Sequence, residues 1–177
     1  TALRNTVDLA QHAEQWGYKR FWVAEHHNTD QLASPSPELV IAWLLGHTRR
    51  IRLGSGGVML QHYSPYKVAE NFNLLATLAP GRIDLGLGRA PGTDQMTSQL
   101  INHFSPEPKL FAQAIYDMQG WFSGRGTGHS TPVRSVTAPS GATATSWSTS
   151  VSSPSRAPDS MRRARLLTRS PCSAFWS

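Results

Sequence analysis

Cysteine is almost absent from this sequence. The 177 residues include one, Cys172, which excludes an intramolecular disulfide and fits a reducing, cytoplasmic setting. Long apolar runs are missing as well. No stretch approaches the roughly 20 residues that a bilayer crossing needs, and Asp8, His12 and Glu14 interrupt the first residues where a signal peptide would sit. A membrane is therefore not an expected partner. Acidic residues are scarce in one part only. Residues 1–122 hold ten Lys or Arg against ten Asp or Glu, whereas residues 123–177 hold seven Arg, no Lys and one acid, Asp159. The whole formal charge of +6 thus belongs to the tail. Since the neutral part carries the folding pattern and shows no basic face, nucleic acid is not an expected partner either.

The tail also has few large apolar side chains. Residues 123–177 contain fourteen Ser, seven Thr and five Pro, a composition that cannot bury enough apolar surface to offset chain entropy. It reads as a disordered segment or as out-of-frame translation of a GC-rich gene, set apart from a domain over residues 1–122. A first residue of Thr rather than Met suggests a chain cut from, or begun inside, a longer reading frame.

Within residues 1–122 one pattern repeats. Leu3, Val7, Leu9, Ala10, Ala13 and Trp16 recur at three- and four-residue spacing and predict an amphipathic helix that Gly17 stops. The continuous run Phe21-Trp22-Val23-Ala24 suits a parallel strand covered on both faces. Ser36-Pro37-Glu38 opens a second helix through Leu44, with Ser36 as its N-cap, and a strand follows from Ile51. Ser64-Pro65 opens a third helix that Pro80-Gly81 ends, ahead of a strand from Ile83 to Leu87; Leu110 to Met118 predicts one more helix. Strands near 20–24, 51–55 and 82–87, each after a helix, predict an α/β protein whose strands lie parallel and adjacent in that order. Periodicity does not choose between an open sheet and a closed barrel.

Three segments could carry chemistry, all at expected strand ends, where α/β folds bind ligands. Glu25-His26-His27 combines an acid with two imidazoles, suited to proton transfer or cofactor contact. Glu25 bonding to backbone amides, with one histidine packed at the strand end, is the structural alternative. The pair lacks HExxH spacing and further ligands, so no metal is expected. Gly54-Ser55-Gly56-Gly57 lacks both the GxGxxG spacing and the Lys-Ser/Thr pair of a phosphate loop. Its glycines would admit a flat ring system or simply a tight turn. Gly86-Leu87-Gly88-Arg89-Ala90 sets an arginine after small residues, where a guanidinium can pair with a phosphate or merely occupy the surface.

Phe21 to Asn28 (FWVAEHHN), Gly54 to Leu60 (GSGGVML) and Pro80 to Asp94 (PGRIDLGLGRAPGTD) together resemble the bacterial-luciferase-like flavin-dependent monooxygenases, in particular their alkane-monooxygenase-like single-component branch. The likeness is strong over residues 1–100, fades toward residue 122 and is absent from the tail. It implies a TIM-type (β/α)8 barrel of which this chain carries about strands 2–4, the opening strand lying upstream of Thr1. It further implies non-covalent reduced FMN, with F420 as the alternative, O2, a small organic substrate, a flavin reductase as electron source and a homo-oligomeric parent. By that resemblance His26 and Glu25 are the catalytic candidates, and Ser55, Gly56, Gly57, Arg89 and Ala90 the cofactor-binding ones. The expected function is flavin-dependent monooxygenation, with this chain an incomplete and inactive piece. The alternatives are a non-catalytic flavin- or F420-binding relative, or a partial scaffold that needs a partner to supply more strands.

Overall fold

The computed structural model describes residues 1–102 and 111–123. Helix α1 spans Ala2–Gln15. Gly17 takes φ +83° beyond it, and Tyr18 N–H reaches back to the Ala13 carbonyl at 2.9 Å, so the carbonyls of the last turn keep donors. Strand β1 (Arg20–Val23) follows, then α2 (Pro37–Leu45), β2 (Arg52–Ser55), β3 (Val58–Met59) and a 3₁₀ turn at Leu60–His62. Helix α3 (Pro65–Leu78), β4 (Ile83–Asp84), β5 (Leu87–Gly88), α4 (Gln95–Ile101) and α5 (Phe111–Phe122) complete the described chain. Ser36 stands at the N-cap of α2 as expected, but its side chain makes no capping hydrogen bond; Pro37 in the first turn lowers the number of amides needing one.

The main sheet has the order β1-β2-β4 and is parallel throughout, matching the expected adjacency. The third expected strand, however, is divided. Its first half pairs with β2, while β5 pairs in parallel with β3 in a separate two-stranded sheet. The cause is Gly86. Its N–H donates to Ser55 Oγ (3.1 Å), and its carbonyl accepts from that hydroxyl (2.9 Å) and from Val58 N–H (2.8 Å). With both backbone groups used this way, the β2–β4 ladder stops and a second one starts two residues later.

Alternation sorts the strand residues onto two faces. Val23, Leu53 and Ile83 are buried among Ile41 and Leu44 of α2 and Val68, Ala69, Phe72 and Leu75 of α3, with Phe21 packed against the same cluster. Burial of each large side chain there is worth about 1.5–3 kcal/mol. Helix α5 adds Ala114 and Met118 to this core, and Trp121 meets Tyr66 of α3 edge-on at 5.3 Å. The opposite face is polar. Register places Trp22, Gly54 and Asp84 side by side. Asp84 is 1% exposed and accepts from Trp22 Nε1 (3.2 Å), Arg20 Nε (3.1 Å) and Arg52 Nε (3.0 Å). A Cβ on Gly54 would lie 2.7 Å from the Asp84 carbonyl oxygen, so glycine is required there for the close approach. Trp22 stays 39% exposed on this face.

Glu14 ties α1 to the approach to β2. Its carboxylate accepts from the amides of Arg49 (3.0 Å), Arg50 (2.5 Å) and Ile51 (2.8 Å). Burial by itself would raise the Glu14 pKa, but the hydrogen bonds from Ile51, Arg50 and Arg49, with the Arg50 charge, outweigh it and leave the carboxyl below its ordinary value. The expectation of an unstructured or out-of-frame tail over residues 123–177 lies outside the described residues, Ser123 excepted. Among the described residues no helix is long and apolar enough to cross a membrane.

Candidate active site at the strand ends

Parallel strands deliver their C-terminal loops to one end, and three backbone hydrogen bonds gather them there. Gly56 N–H donates to Val23 C=O (2.8 Å), Val58 N–H to Gly86 C=O (2.8 Å) and His27 N–H to Gly92 C=O (3.0 Å). The segments after β1, β2 and β5 therefore share one rim, which brings the loops bearing His26, Gly56 and Arg89 to a common end.

Glu25 is completely buried at the root of this rim. A carboxylate taken out of water needs donors, and Glu25 has three. Met59 N–H donates to Oε2 (2.9 Å), while Tyr63 Oη (2.8 Å) and His27 Nε2 (2.8 Å) both reach Oε1. Burial first, then the hydrogen bond to Glu25, then the Glu25 and Glu38 charges push the Tyr63 phenol well above its usual range, so it remains a donor at any physiological pH. His62, one residue before, donates from Nε2 to the Pro91 carbonyl (2.7 Å), has Nδ1 2.7 Å from the Asn102 side-chain amide, and meets His27 edge-on at 5.6 Å.

His26 differs from His27 and His62. Its backbone N–H is bonded to the Ser34 carbonyl (3.0 Å), yet its Nδ1 is buried with no hydrogen-bond partner among the described residues, and so is Ser34 Oγ. Buried polar atoms are rarely left unpaired, and an exception calls for an absent water or ligand atom. The remaining candidates divide. Ser55 is fully buried with its hydroxyl used on Gly86, and Gly57 is buried with its α-carbon facing the Gly86 backbone, 2.8 Å from where its Cβ would be. Gly56 is exposed beside the Trp22 ring. Arg89 and Ala90 are exposed at the tip of their loop, and Arg89 has no ion-pair or hydrogen-bond partner among the described residues. Among those residues, no group of three His, Cys, Asp or Glu is arranged to hold a metal ion.

Sequence reasoning missed Tyr63, His62 and the link between the two rim loops. Tyr63 and His62 directly precede the Ser64-Pro65 helix start, and that position after a β segment was the available signal. Asp94 caps α4, accepting from Thr97 N–H (2.9 Å) and Thr97 Oγ1 (2.6 Å), while Asn28 Nδ2 donates to it (3.3 Å). The Thr97 side-chain and backbone hydrogen bonds, then the one from Asn28, hold the Asp94 carboxyl below the usual carboxylate range.

A buried acid, an imidazole and a guanidinium, the last two with nitrogens unpaired among the described residues, thus share one end of a parallel sheet. The family model described as luciferase-like monooxygenase matches residues 1–131. The chain belongs to that family. It is 62% identical over 99 residues to the N-acetyl-S-alkylcysteine monooxygenase of Bacillus subtilis, covering 56% of this chain and 30% of the relative. It is 46% identical over 125 residues to a luciferase-like monooxygenase of Escherichia coli K12, covering 70% of this chain and 37% of that one. The chain therefore spans about a third of the length of these curated relatives. Among solved structures, apo-MsnO8 is 38% identical with a TM-score of 0.66, over 75% of this chain and 39% of that one. The FMN-complexed oxygenating constituent of 3,6-diketocamphane monooxygenase from Pseudomonas putida has a TM-score of 0.58, over 68% of this chain and 35% of that one; at 21% identity this is a likeness of fold. The parallel β/α units of this luciferase-like chain are accordingly part of a TIM-type barrel.

Proposed function

We propose that these residues form the His26 side of a flavin site in a monooxygenase that uses reduced FMN and O2 on a small organic substrate. The observation that carries the reading is the unpartnered, buried Nδ1 of His26 at the strand ends. It fits a ring system with hydrogen-bonding edges better than it fits a finished protein core. Exposed Gly56 leaves room for a flat group at the rim, and Arg89, with no partner among the described residues, suits the cofactor phosphate with Ala90 beside it. Ser55 supports this wall from behind by hydrogen-bonding the Gly86 backbone, which Gly57 approaches closely.

Bound reduced flavin supplies the two electrons that O2 needs. Inserting one oxygen atom and releasing the other as water also takes two protons, and in this reading the His26 imidazole holds or delivers one at Nδ1. Glu25 acts indirectly, since all its donors are protein groups: it fixes His27 through Nε2 and the Met59 backbone at the rim. By itself the chain is not expected to turn over. Among the described residues the main sheet has three strands and a second sheet two short ones, where a barrel closes on eight, and Trp22 on the polar face still lies partly in solvent.

Titration of the chain with oxidised FMN, followed by quenching of flavin fluorescence, tests the binding half. Saturable quenching that His26→Ala weakens is the expected result. Binding of neither FMN nor F420 would overturn the flavin reading, and multiple-turnover formation of oxygenated substrate with supplied reduced FMN and O2, absent without the chain, would overturn the reading of the isolated chain as inactive.

A further inference from the structure

The rim loop that carries Arg89 is fastened on both sides of a short tip. From Pro91 to Asp94 every residue is tied to the histidine loop or to His62. Pro91 C=O accepts from His62 Nε2 (2.7 Å) and Gly92 C=O from His27 N–H (3.0 Å). Thr93 Oγ1 donates to His27 C=O (3.1 Å), and the Asn28 side chain donates to Asp94 Oδ2 (3.3 Å) and Thr97 Oγ1 (2.9 Å). Gly92 sits at φ +62°, with its α-carbon so close to Glu25 that a Cβ would lie 3.1 Å from the Glu25 carbonyl oxygen. On the other side β5 ends at Gly88. Between these anchors only Arg89 and Ala90 are unfastened, and both are exposed.

Asn28 itself adopts φ +50°, a left-handed conformation that asparagine tolerates better than most residues. That geometry turns its amide away from its own loop and toward the α4 cap. The site therefore has a two-residue tip, bearing a guanidinium with no partner among the described residues, whose position follows from where the 91–94 segment is held.

The geometry points to Asn28 as the positioning residue for Arg89: by holding Asp94 and Thr97 it sets the loop so that the Arg89 guanidinium meets the phosphate of a ligand bound at the strand ends. This rests on the phosphate-bearing flavin proposed above, but the fastening can be measured without any flavin. The His27–Gly92 contact is backbone to backbone, and the His62 and Thr93 side chains each meet a backbone carbonyl, whereas the Asn28 contact joins two side chains, one of them a carboxylate, and is open to a charge-swap test.

Four forms of the chain serve: the parent, Asn28→Gly, which keeps the left-handed backbone comfortable and deletes the amide, Asn28→Asp, which sets a carboxylate against Asp94, and the double variant Asn28→Asp/Asp94→Asn, which restores a donor–acceptor pair and keeps an oxygen for the α4 cap. Circular dichroism first establishes equal helix content. Titrations then compare FMN with riboflavin, which has the same ring and no phosphate. The parent is expected to prefer FMN, the preference falling about tenfold in Asn28→Gly, the size of one charge-assisted contact, falling further in Asn28→Asp and returning in the double variant, with riboflavin affinity unchanged throughout. In parallel, inorganic phosphate should shift the Arg89 Nε–H resonance of the parent and not that of Asn28→Gly. An FMN preference untouched by Asn28→Gly, or equal losses for both flavins, overturns the positioning role. A parent that binds neither flavin defeats the flavin reading; the phosphate arm then decides the role of Asn28, and an Arg89 shift that is equal in parent and Asn28→Gly, or missing from both, overturns it.

Discussion

Replacing Glu25 by alanine should be the most damaging single change at the rim, and the structure sets its size. Three donors converge on a carboxylate that no water reaches. Each donor left unpaired in a dry position costs about 1–3 kcal/mol. The Met59 amide is buried and belongs near the top of that range; Tyr63 and His27 are partly exposed and can turn toward water, which places them near the bottom. Together with the cavity left by the lost methylene and carboxylate, the total is about 5–6 kcal/mol, a large part of the roughly 5–15 kcal/mol that holds an ordinary domain folded. Tyr63→Phe removes one donor and leaves the carboxylate with two, so about 1–2 kcal/mol is expected. Glu25→Gln keeps the volume and one acceptor oxygen and should fall between the two. Urea denaturation followed by tryptophan fluorescence gives all three values on the same protein. The order alanine, glutamine, phenylalanine in decreasing damage is the signature of an anchoring acid. A Glu25→Ala protein within 0.5 kcal/mol of the parent would refute the argument, because the three donors would then not depend on it.

Glu14→Ala should destabilise by about 1–3 kcal/mol through the Arg49, Arg50 and Ile51 amides, while Glu14→Gln, which keeps the oxygen that serves all three, should cost less. Since the folded-state pKa of Glu14 lies below its ordinary 4.5, this contribution is complete above about pH 4.5 and is lost as pH falls through the folded value; denaturation midpoints of parent and Glu14→Ala should converge in acid, and a gap that stays constant to pH 2 would contradict the assignment. Gly54→Ala forces a methyl to 2.7 Å from the Asp84 carbonyl and 2.8 Å from its Cβ, so the two strands must part, at about 1–3 kcal/mol; a melting temperature equal to the parent's would show that the strands are not packed this closely.

The repeating helix–strand grammar was legible because it is local. The apolar spacing of Leu3 to Trp16, the Pro37 and Pro65 helix starts and the continuous Phe21–Val23 run each depend on residues within one or two turns, and the structure has an element at every one of them. The helix from Leu110 was visible for the same reason, and α5 carries it to Phe122. Helix α4 was not, because it buries no side chain and leaves Met96 and Leu100 in solvent, so it has no apolar period to read; its Asp94 cap was the one signal present. Right-handed crossover geometry then let strand order and the shared end be inferred without coordinates, and the EHHN block was placed at that end by following its strand.

What depended on tertiary structure is the set of contacts between residues far apart in the chain. Glu25 meets Tyr63 across 38 positions and Asn28 meets Asp94 across 66, separations that leave no periodic trace. The division of the third expected strand came from the Ser55 hydroxyl taking both backbone groups of Gly86, which no pattern within residues 82–88 announces. So the kinds of residue at the site could be read from the sequence, because strand ends collect them. Their roles could not: which acid is fully engaged, which histidine keeps a nitrogen unpaired and which arginine lacks a partner are decided by neighbours that only folding brings within hydrogen-bond distance.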